Sequence, residues 1–358
     1  MSGRVLLYGA TGFTGAEIAR HLAGNVDLVL AGRNPERVGA IAEQLGVGWR
    51  AFDLSDAAVL DAALGDIDVV LHAAGPFGTT AQPMIEACLR AGAHYLDLGG
   101  EWPVFIDAMG YDGAARAAGV MILPGVGLTV AASDCLFALA MERWPDTTRL
   151  YLGISRAQVI SRGSVESAAR MVSPQIIVRR GGELTSVPAG SLVRAFDFGD
   201  GLSEAAAMSW ADVVTGSVST GVDDIEVYSE MRWPERASYR ATGMTMDVIG
   251  ADPIKAIGTV FSSVWGHGPD AAAREQASFV MVLHALDPWR RVRRLTMRTR
   301  DGYTFSVLTA ADAVRRVLAG EAAAGFQTPA RVFGSRFIFD ADAARLEGPA
   351  SGQEGVAA

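Results

Sequence analysis

Of the 31 basic residues in this 358-residue chain, a single one, Lys255, is a lysine and the rest are arginines. Reductases that protonate substrate through a tyrosine activated by a lysine four positions later are thereby excluded, because position 251 is Ala251. No GxxxxGK[ST] string exists, so Walker-type phosphate binding is excluded as well, and Schiff-base chemistry would have to use Lys255 itself. Cysteine is scarce. Cys88 and Cys135 cannot build a disulfide framework, and neither stands in a CxxC pair or near histidines at metal-ligand spacing, so no metal is expected. Both fall in apolar, helix-like runs and read as buried core thiols. The HExxH and GxSxG strings of metallohydrolases and serine hydrolases are missing. Positive charge is in deficit: a net charge of −9 argues against nucleic acid or an anionic membrane as the main partner. Long apolar runs are also wanting, since the uncharged stretch Ala117–Ser133 is shorter than a membrane span and is interrupted by Gly119, Pro124, Gly125 and Gly127. Met1 is followed almost at once by a strand-like run, which leaves no room for a signal peptide; a cytoplasmic protein is expected.

What is present is ample core material, with hydrophobic residues at 50% and charged residues at 20%. Length alone favours two domains, at about 100 to 200 residues each. The first part alternates short β-branched runs with amphipathic segments, the pattern of a parallel sheet with crossover helices. Strands are expected at Arg4–Tyr8, Asp27–Ala31, Gly48–Phe52, Asp68–Ala73, His94–Leu98 and Val120–Leu123. Helices are expected at Thr14–Ala23, Pro35–Leu45, Asp56–Leu64, Thr80–Ala91 and Pro103–Ala118. Gly46, Gly65, Gly92 and Gly119 each close a helix, and Ser55 is the expected N-cap of another. Beyond about residue 148 the runs alternate in polarity and are joined by turns, as in Arg149–Arg156, Gln175–Arg179, Ser191–Phe198, Asp224–Met231 and Gln276–Leu286. Leu295–Thr299 and Tyr303–Val307 read as a hairpin through Arg300-Asp301-Gly302. Helices are expected at Ser164–Val172, Asp252–Trp265 and Thr309–Ala319. The fold class is therefore α/β: a Rossmann-type doubly wound parallel sheet with a second α+β domain built on a mostly antiparallel sheet.

The strongest local signal is Gly9-Ala10-Thr11-Gly12-Phe13-Thr14-Gly15, directly after one expected strand and before a helix. Gly9 permits the tight turn, Gly12 lets backbone approach a pyrophosphate, and Gly15 allows helix to pack close on strand, with helix-start amides as donors. At the end of the second strand, Gly32-Arg33-Asn34 offers an arginine where an NAD-selective site places an acid to hold the ribose 2′-hydroxyl. A guanidinium grips a 2′-phosphate in bidentate fashion, so NADP(H) is expected over NAD(H), on Arg33 with Asn34. Asp53 is placed to accept from the adenine amino group, or else is a turn acid. Ala74, Gly75, Pro76 and Phe77 follow the fourth strand and would pass beside the nicotinamide ribose.

These residues resemble the saccharopine dehydrogenase-like NAD(P)-binding proteins, which include saccharopine reductases and trans-acting enoyl reductases. The resemblance is carried by the glycine turn, Leu30–Asn34 (LAGRN), Val69–Gly78 (VVLHAAGPFG), Glu86–Glu101 (EACLRAGAHYLDLGGE), Leu123–Gly127 (LPGVG) with Ser133-Asp134, and Gly325–Gly334 (GFQTPARVFG). It implies an NADP-binding Rossmann domain over residues 1–130, a substrate and dimerisation domain over 131–321 and a segment near 322–340 returning to the first domain, while the Ala-, Gly- and Glu-rich composition of the chain's end predicts a flexible tail over 341–358. A homodimer acting on a small molecule is expected. Many relatives carry Gly-Phe-Asp-x-x-Pro-Ser/Thr-Asp after the sixth strand; here the acid is Thr129 and the proline Ala132, so no relative's substrate transfers directly.

Hydride transfer places the substrate above the carboxyl ends of the strands, with a donor for the compensating proton. Glu101, Asp97 and Thr129 fall there. Glu101 is the first candidate, because Trp102 beside it would desolvate its carboxyl. Its alternative role is an N-cap. His72 reads as core. The resulting expectation is an NADP(H)-dependent oxidoreductase working on a C=C, C=O or C=N bond of a small or moderately apolar metabolite. An amino-acid or opine-type dehydrogenase would need carboxylate-binding arginines such as Arg156 and Arg162, and a non-catalytic dinucleotide sensor would need none. Ser161–Ser164 could present a cation and hydroxyls to substrate, and the Asp252–Trp265 helix is core, dimer seam or substrate lid.

Overall fold

The computed structural model describes residues 3–159, 173–233, 235–249, 268–348 and 355–356. The helices expected at Ser164–Val172 and Asp252–Trp265, the Ser161–Ser164 turn, Arg162, Lys255 and His267 lie outside the described residues. The chain divides into two compact units: Met1–Ala131 with Tyr303–Ala343, and Ala132–Gly302 with Ala344–Ala358.

The first unit is built on a seven-stranded parallel sheet. Its strands are β1 (Arg4–Tyr8), β2 (Asp27–Gly32), β3 (Gly48–Ala51), β4 (Val69–His72), β5 (His94–Asp97), β6 (Met121–Leu123) and β15 (Gly325–Phe326), in the order β15-β6-β5-β4-β1-β2-β3. The order reverses between β1 and β4, which opens a crevice at their carboxyl ends. Val5, Leu6 and Leu7 of β1 and Val70 and Leu71 of β4 are fully buried, as a sheet covered on both faces requires. Its helices are α1 (Phe13–Leu22), α2 (Pro35–Leu45), α3 (Ala57–Leu64), α4 (Phe77–Ala91), α5 (Trp102–Gly110) and α6 (Asp112–Ala118). Asn34 caps α2, and Gly46, Gly92 and Gly119 end helices in the left-handed conformation. Ser55 is not a cap: Asp56 caps α3, accepting from the amides of Ala58 and Val59. The single helix expected over Pro103–Ala118 breaks at Tyr111, after Gly110 and beside a hydrogen bond from the Tyr111 hydroxyl to Glu86 at 2.7 Å.

α7 (Leu128–Arg143) begins in the first unit and ends in the second. The second unit carries β7 (Arg149–Ile154), β8 (Gln175–Arg180), β9 (Glu183–Pro188), β10 (Val193–Asp197), β11 (Leu202–Ala207), β12 (Asp224–Glu230), β13 (Val280–Leu286), β14 (Arg291–Thr299), β16 (Ala344–Glu347) and β17 (Gly355–Val356). They form one mixed sheet, antiparallel except where β12 runs parallel to β7. α8 (Asp212–Thr220), α9 (Glu235–Ile249) and α10 (Ala271–Gln276) accompany it. Sequence patterning missed β11, whose Leu-Ser-Glu-Ala-Ala-Ala has little strand propensity and is held by pairing on both sides. Gly153 in β7 leaves room for the Phe196 ring, since a Cβ there would lie 2.5 Å from its Cγ.

The expected hairpin at Leu295–Val307 does not form. β14 ends at Thr299, and α11 (Gly302–Leu318) runs straight through Tyr303–Val307. Tyr303, Phe305, Val307 and Thr309 are all buried, and this alternation mimicked a strand because the helix is covered on more than one side. Two short helices, α12 (Pro329–Phe333) and α13 (Phe337–Asp340), follow β15.

Candidate functional site

At the mouth of the crevice, Gly9 leaves β1 with φ of 94°, and a Cβ there would lie 2.8 Å from the carbonyl carbon of Ala73 and the nitrogen of Ala74. Its amide donates to Ala31 O at 2.8 Å, so the ends of β1, β2 and β4 meet at this one residue. Gly15 is tighter still, since its Cβ would stand 2.2 Å from Gly9 O. Gly12, exposed and extended, is the N-cap of α1, whose first turn holds no acid and receives no side-chain cap. The positive end of the helix is thus left open to an anion, with the half-buried Thr11 and Thr14 flanking it. The Phe13 ring stands edge-on to Tyr303 at 5.0 Å.

Arg33 lies exposed just past β2. Asn34 spends its side chain as the α2 cap, accepting from Arg37 N at 2.9 Å, and the Arg37 guanidinium reaches back to Thr11 O at 3.4 Å. Two exposed guanidinium-bearing residues therefore sit on the β1 and β2 exits. Asp53 forms a turn, accepting from Ser55 N at 3.0 Å; hydrogen bonds from Ser55, and then the charge of Arg33, hold its carboxyl below the usual range.

On the other side of the switch point, Ala74, Pro76 and Phe77 are half-buried and Gly75 exposed; Phe77 is already the first residue of α4, three residues earlier than expected. Asp97, at the end of β5, is fully buried. Its Oδ1 accepts from the amides of Gly99 and Gly125, each at 2.8 Å, and its Oδ2 from the Tyr95 hydroxyl at 2.7 Å. Burial pushes the carboxyl up to about 6, against the pull of these hydrogen bonds. Its main-chain oxygen also takes the Val126 amide at 2.8 Å. The loop after β5 is thereby tied to the loop after β6. Glu101 occupies the N-cap position of α5 without capping it: the side chain accepts from Gly100 N at 3.2 Å. Thr129 donates to Gly99 O at 3.3 Å, and a Cβ on Gly100 would lie 2.8 Å from its Oγ1. Asp97, Glu101 and Thr129 are thus gathered on one loop pair at the carboxyl end of the sheet, a half-buried carboxylate and hydroxyl over a buried carboxyl.

Residues 5–123 match the family model of the saccharopine dehydrogenase NADP binding domain. Over these residues the first unit is similar to the NADP-binding domain of saccharopine dehydrogenase. A trans-acting enoyl reductase of Mycobacterium ulcerans (strain Agy99) is 38% identical over 105 residues, 27% of this chain and 25% of that protein. A putative trans-acting enoyl reductase of Mycobacterium tuberculosis (strain ATCC 25618 / H37Rv) is 38% identical over 110 residues, 28% of this chain and 26% of its own length. The chain thus spans about a quarter of the length of these curated relatives. Apo saccharopine dehydrogenase (L-Glu forming) from Saccharomyces cerevisiae shares the fold, with a TM-score of 0.59 at 12% identity over 95% of this chain and 96% of the other.

The residues of the first unit fit a dinucleotide: only glycine satisfies the φ of Gly9 and the clearance at Gly15, and the α1 terminus is uncapped. Several residues here escaped sequence reasoning. Arg37 was hidden by its place inside α2, although an arginine four beyond Arg33 at a helix start was a usable signal. Ser306, which accepts from Leu128 N at 3.1 Å, and Thr309, which donates to Val126 O at 2.7 Å, brace the β6–α7 loop from α11. They could not be found while 303–307 read as a strand. Arg156, in the second unit, is ion-paired with Glu235. Among the described residues no group of His, Cys, Asp or Glu is arranged to hold a metal, and no helix is long and apolar enough to cross a membrane.

Proposed function

We propose that the chain is an NADP(H)-dependent oxidoreductase that transfers hydride to or from a C=C, C=O or C=N bond of a small or moderately apolar metabolite. The observation that carries the reading is the uncapped glycine turn at the switch point, flanked by Arg33 and Arg37, in a domain of an NADP-binding family. The enoyl-reductase names of its relatives make an activated C=C bond the first substrate to try.

When bound, NADPH supplies the hydride. The glycine turn and the α1 terminus would hold its pyrophosphate, Arg33 and Arg37 would grip the 2′-phosphate, and Asp53 would serve the adenosine end. Ala74–Phe77 would line the nicotinamide ribose. Glu101 supplies or orients the compensating proton, with Thr129 as a hydroxyl contact to the substrate. Asp97, with both oxygens engaged inside the protein, acts by positioning the two loops rather than by touching substrate. The protein works as a cytoplasmic homodimer, which sedimentation velocity checks.

Titration of NADPH and NADH against the native protein and Arg33→Ala tests the cofactor reading. Loss of a charge-assisted phosphate contact lowers NADPH affinity about tenfold or more and leaves NADH nearly unchanged. Unaltered NADPH affinity in the variant refutes the role of Arg33. NADPH oxidation across enoyl, carbonyl and imine panels tests the chemistry; tight NADPH binding with no turnover in any panel favours a dinucleotide sensor.

A further inference from the structure

His72, the last residue of β4, is completely buried, with its ring among Tyr8 at 5.5 Å, Phe77 at 5.4 Å and Tyr95 at 6.2 Å. Its Nε2 lies 2.9 Å from Thr80 Oγ1, while its Nδ1 has no hydrogen-bond partner. Thr80, in the first turn of α4, donates its hydroxyl towards Ala74 O at 2.8 Å and Pro76 O at 3.1 Å. A hydroxyl has one proton, and the two carbonyls share it. With the hydroxyl proton on the carbonyls, the hydrogen between Thr80 and His72 is the ring's, which assigns His72 as the neutral Nε2–H tautomer with a bare Nδ1. Burial, which holds the imidazole down at about 3, agrees with a ring that stays neutral.

We infer that His72 and Thr80 form a clasp that sets the shape of the Ala74–Phe77 loop, and that they are positioning residues for the nicotinamide half of the dinucleotide. The chain of bonds runs from ring to hydroxyl to the loop carbonyls of Ala74 and Pro76, and the same ring meets Phe77 edge-on at an interplanar angle of 86°. Both ends of the loop are thereby referred to one rigid, buried imidazole. A loop fixed by donors that stay neutral around pH 7 keeps its shape across the pH range in which hydride transfer is measured. The inference rests on the proposed cofactor reading for its function, though not for the clasp itself.

The test uses the full chain with Thr80→Val and Thr80→Ser, and three readouts: the Kd of NADPH, the Kd of adenosine 2′,5′-bisphosphate as a probe for the adenine half, and amide exchange over residues 74–79 in the free protein. Thr80→Val is expected to speed exchange and weaken NADPH about tenfold, the worth of one lost buried hydrogen bond, while leaving the bisphosphate unchanged. Thr80→Ser restores both values. NADPH affinity unchanged in Thr80→Val, or both ligands weakened alike, overturns the positioning role. Unchanged exchange overturns the clasp. If the native protein binds neither ligand, the cofactor reading fails, and the exchange result still judges the clasp separately. Should Thr80→Val not fold, His72→Phe, which keeps a ring in the pocket and removes the donor, carries the same expected split between the two ligands.

Discussion

Asp97 offers a test in which two substitutions at one position must diverge. Its carboxyl collects three donors inside the protein, the amides of Gly99 and Gly125 and the hydroxyl of Tyr95. Asp97→Ala leaves all of them without a partner; at about 1 to 3 kcal/mol for each stranded buried group, partly relieved by relaxation, the loss is roughly 3 to 6 kcal/mol. Asp97→Asn keeps Oδ1 for both amides, and Tyr95 can rotate its hydroxyl to accept from the new amide, so the loss is about 1 kcal/mol or less near neutral pH. The two also differ in pH dependence. The folded-state carboxyl stands at about 6, raised from 3.8 by burial. A raised carboxyl contributes stability that is full below the unfolded value and is lost as pH rises through the folded one. Between about pH 4.5 and about pH 7.5 this removes about 2 kcal/mol from the native protein but not from Asp97→Asn. Urea unfolding at the two pH values, for native protein and both variants, reads out these differences. If Asn proves as damaging as Ala, or retains the native pH slope, the hydrogen-bond and burial argument is wrong.

Asp212, at the start of α8 in the second unit, is fully buried and is pushed up to about 7 mainly by burial, with hydrogen bonding from Ser133 opposing and Asp134 adding repulsion. Arg179 donates to the main-chain oxygens of Val213, at 2.8 Å, and Gly182. By the same sign, stability falls as pH rises towards 7, and Asp212→Asn should gain about 2 to 3 kcal/mol on native protein between about pH 5 and about pH 8; equal unfolding free energies at both would dismiss the assignment. Gly15→Ala forces a methyl to 2.2 Å from Gly9 O, so NADPH binding should drop beyond measurement or thermal unfolding should occur several degrees lower; wild-type values for both would deny the close packing. Glu101→Gln keeps the acceptor for Gly100 N and removes the titrating proton, so kcat should fall about a hundredfold with NADPH affinity unchanged. Full turnover in that variant removes Glu101 from proton transfer.

Legibility differed between the two units for a physical reason. In the first, turn chemistry, glycine caps and short buried strands repeat locally, and each βαβ step can be read from its own few dozen residues. The glycine turn was legible because the constraint lies in the backbone: φ of 94° at Gly9 and clearance at Gly15 admit no other residue, and the sequence must say so. In the second unit, β11 is a strand only because β10 and β12 flank it, and in the segment that returns to the first unit Tyr303–Val307 is a helix whose burial on several sides erased the helical period.

The sequence by itself determined the parallel sheet with its glycine turn, the absence of tyrosine–lysine chemistry that a single Lys255 imposes, and the arginine just past β2, because each depends on residue identity at a fixed local spacing. Only the tertiary structure decided what these polar side chains do. Asp97, Glu101 and Thr129 all fall at or just past strand ends, yet folding buried the first among three donors, turned the second back on its own loop and set the third against Gly99 O. Burial and hydrogen-bond partners come from residues distant in the chain, Gly125 for Asp97 and Ser306 for the adjoining loop, and no local pattern carries that information.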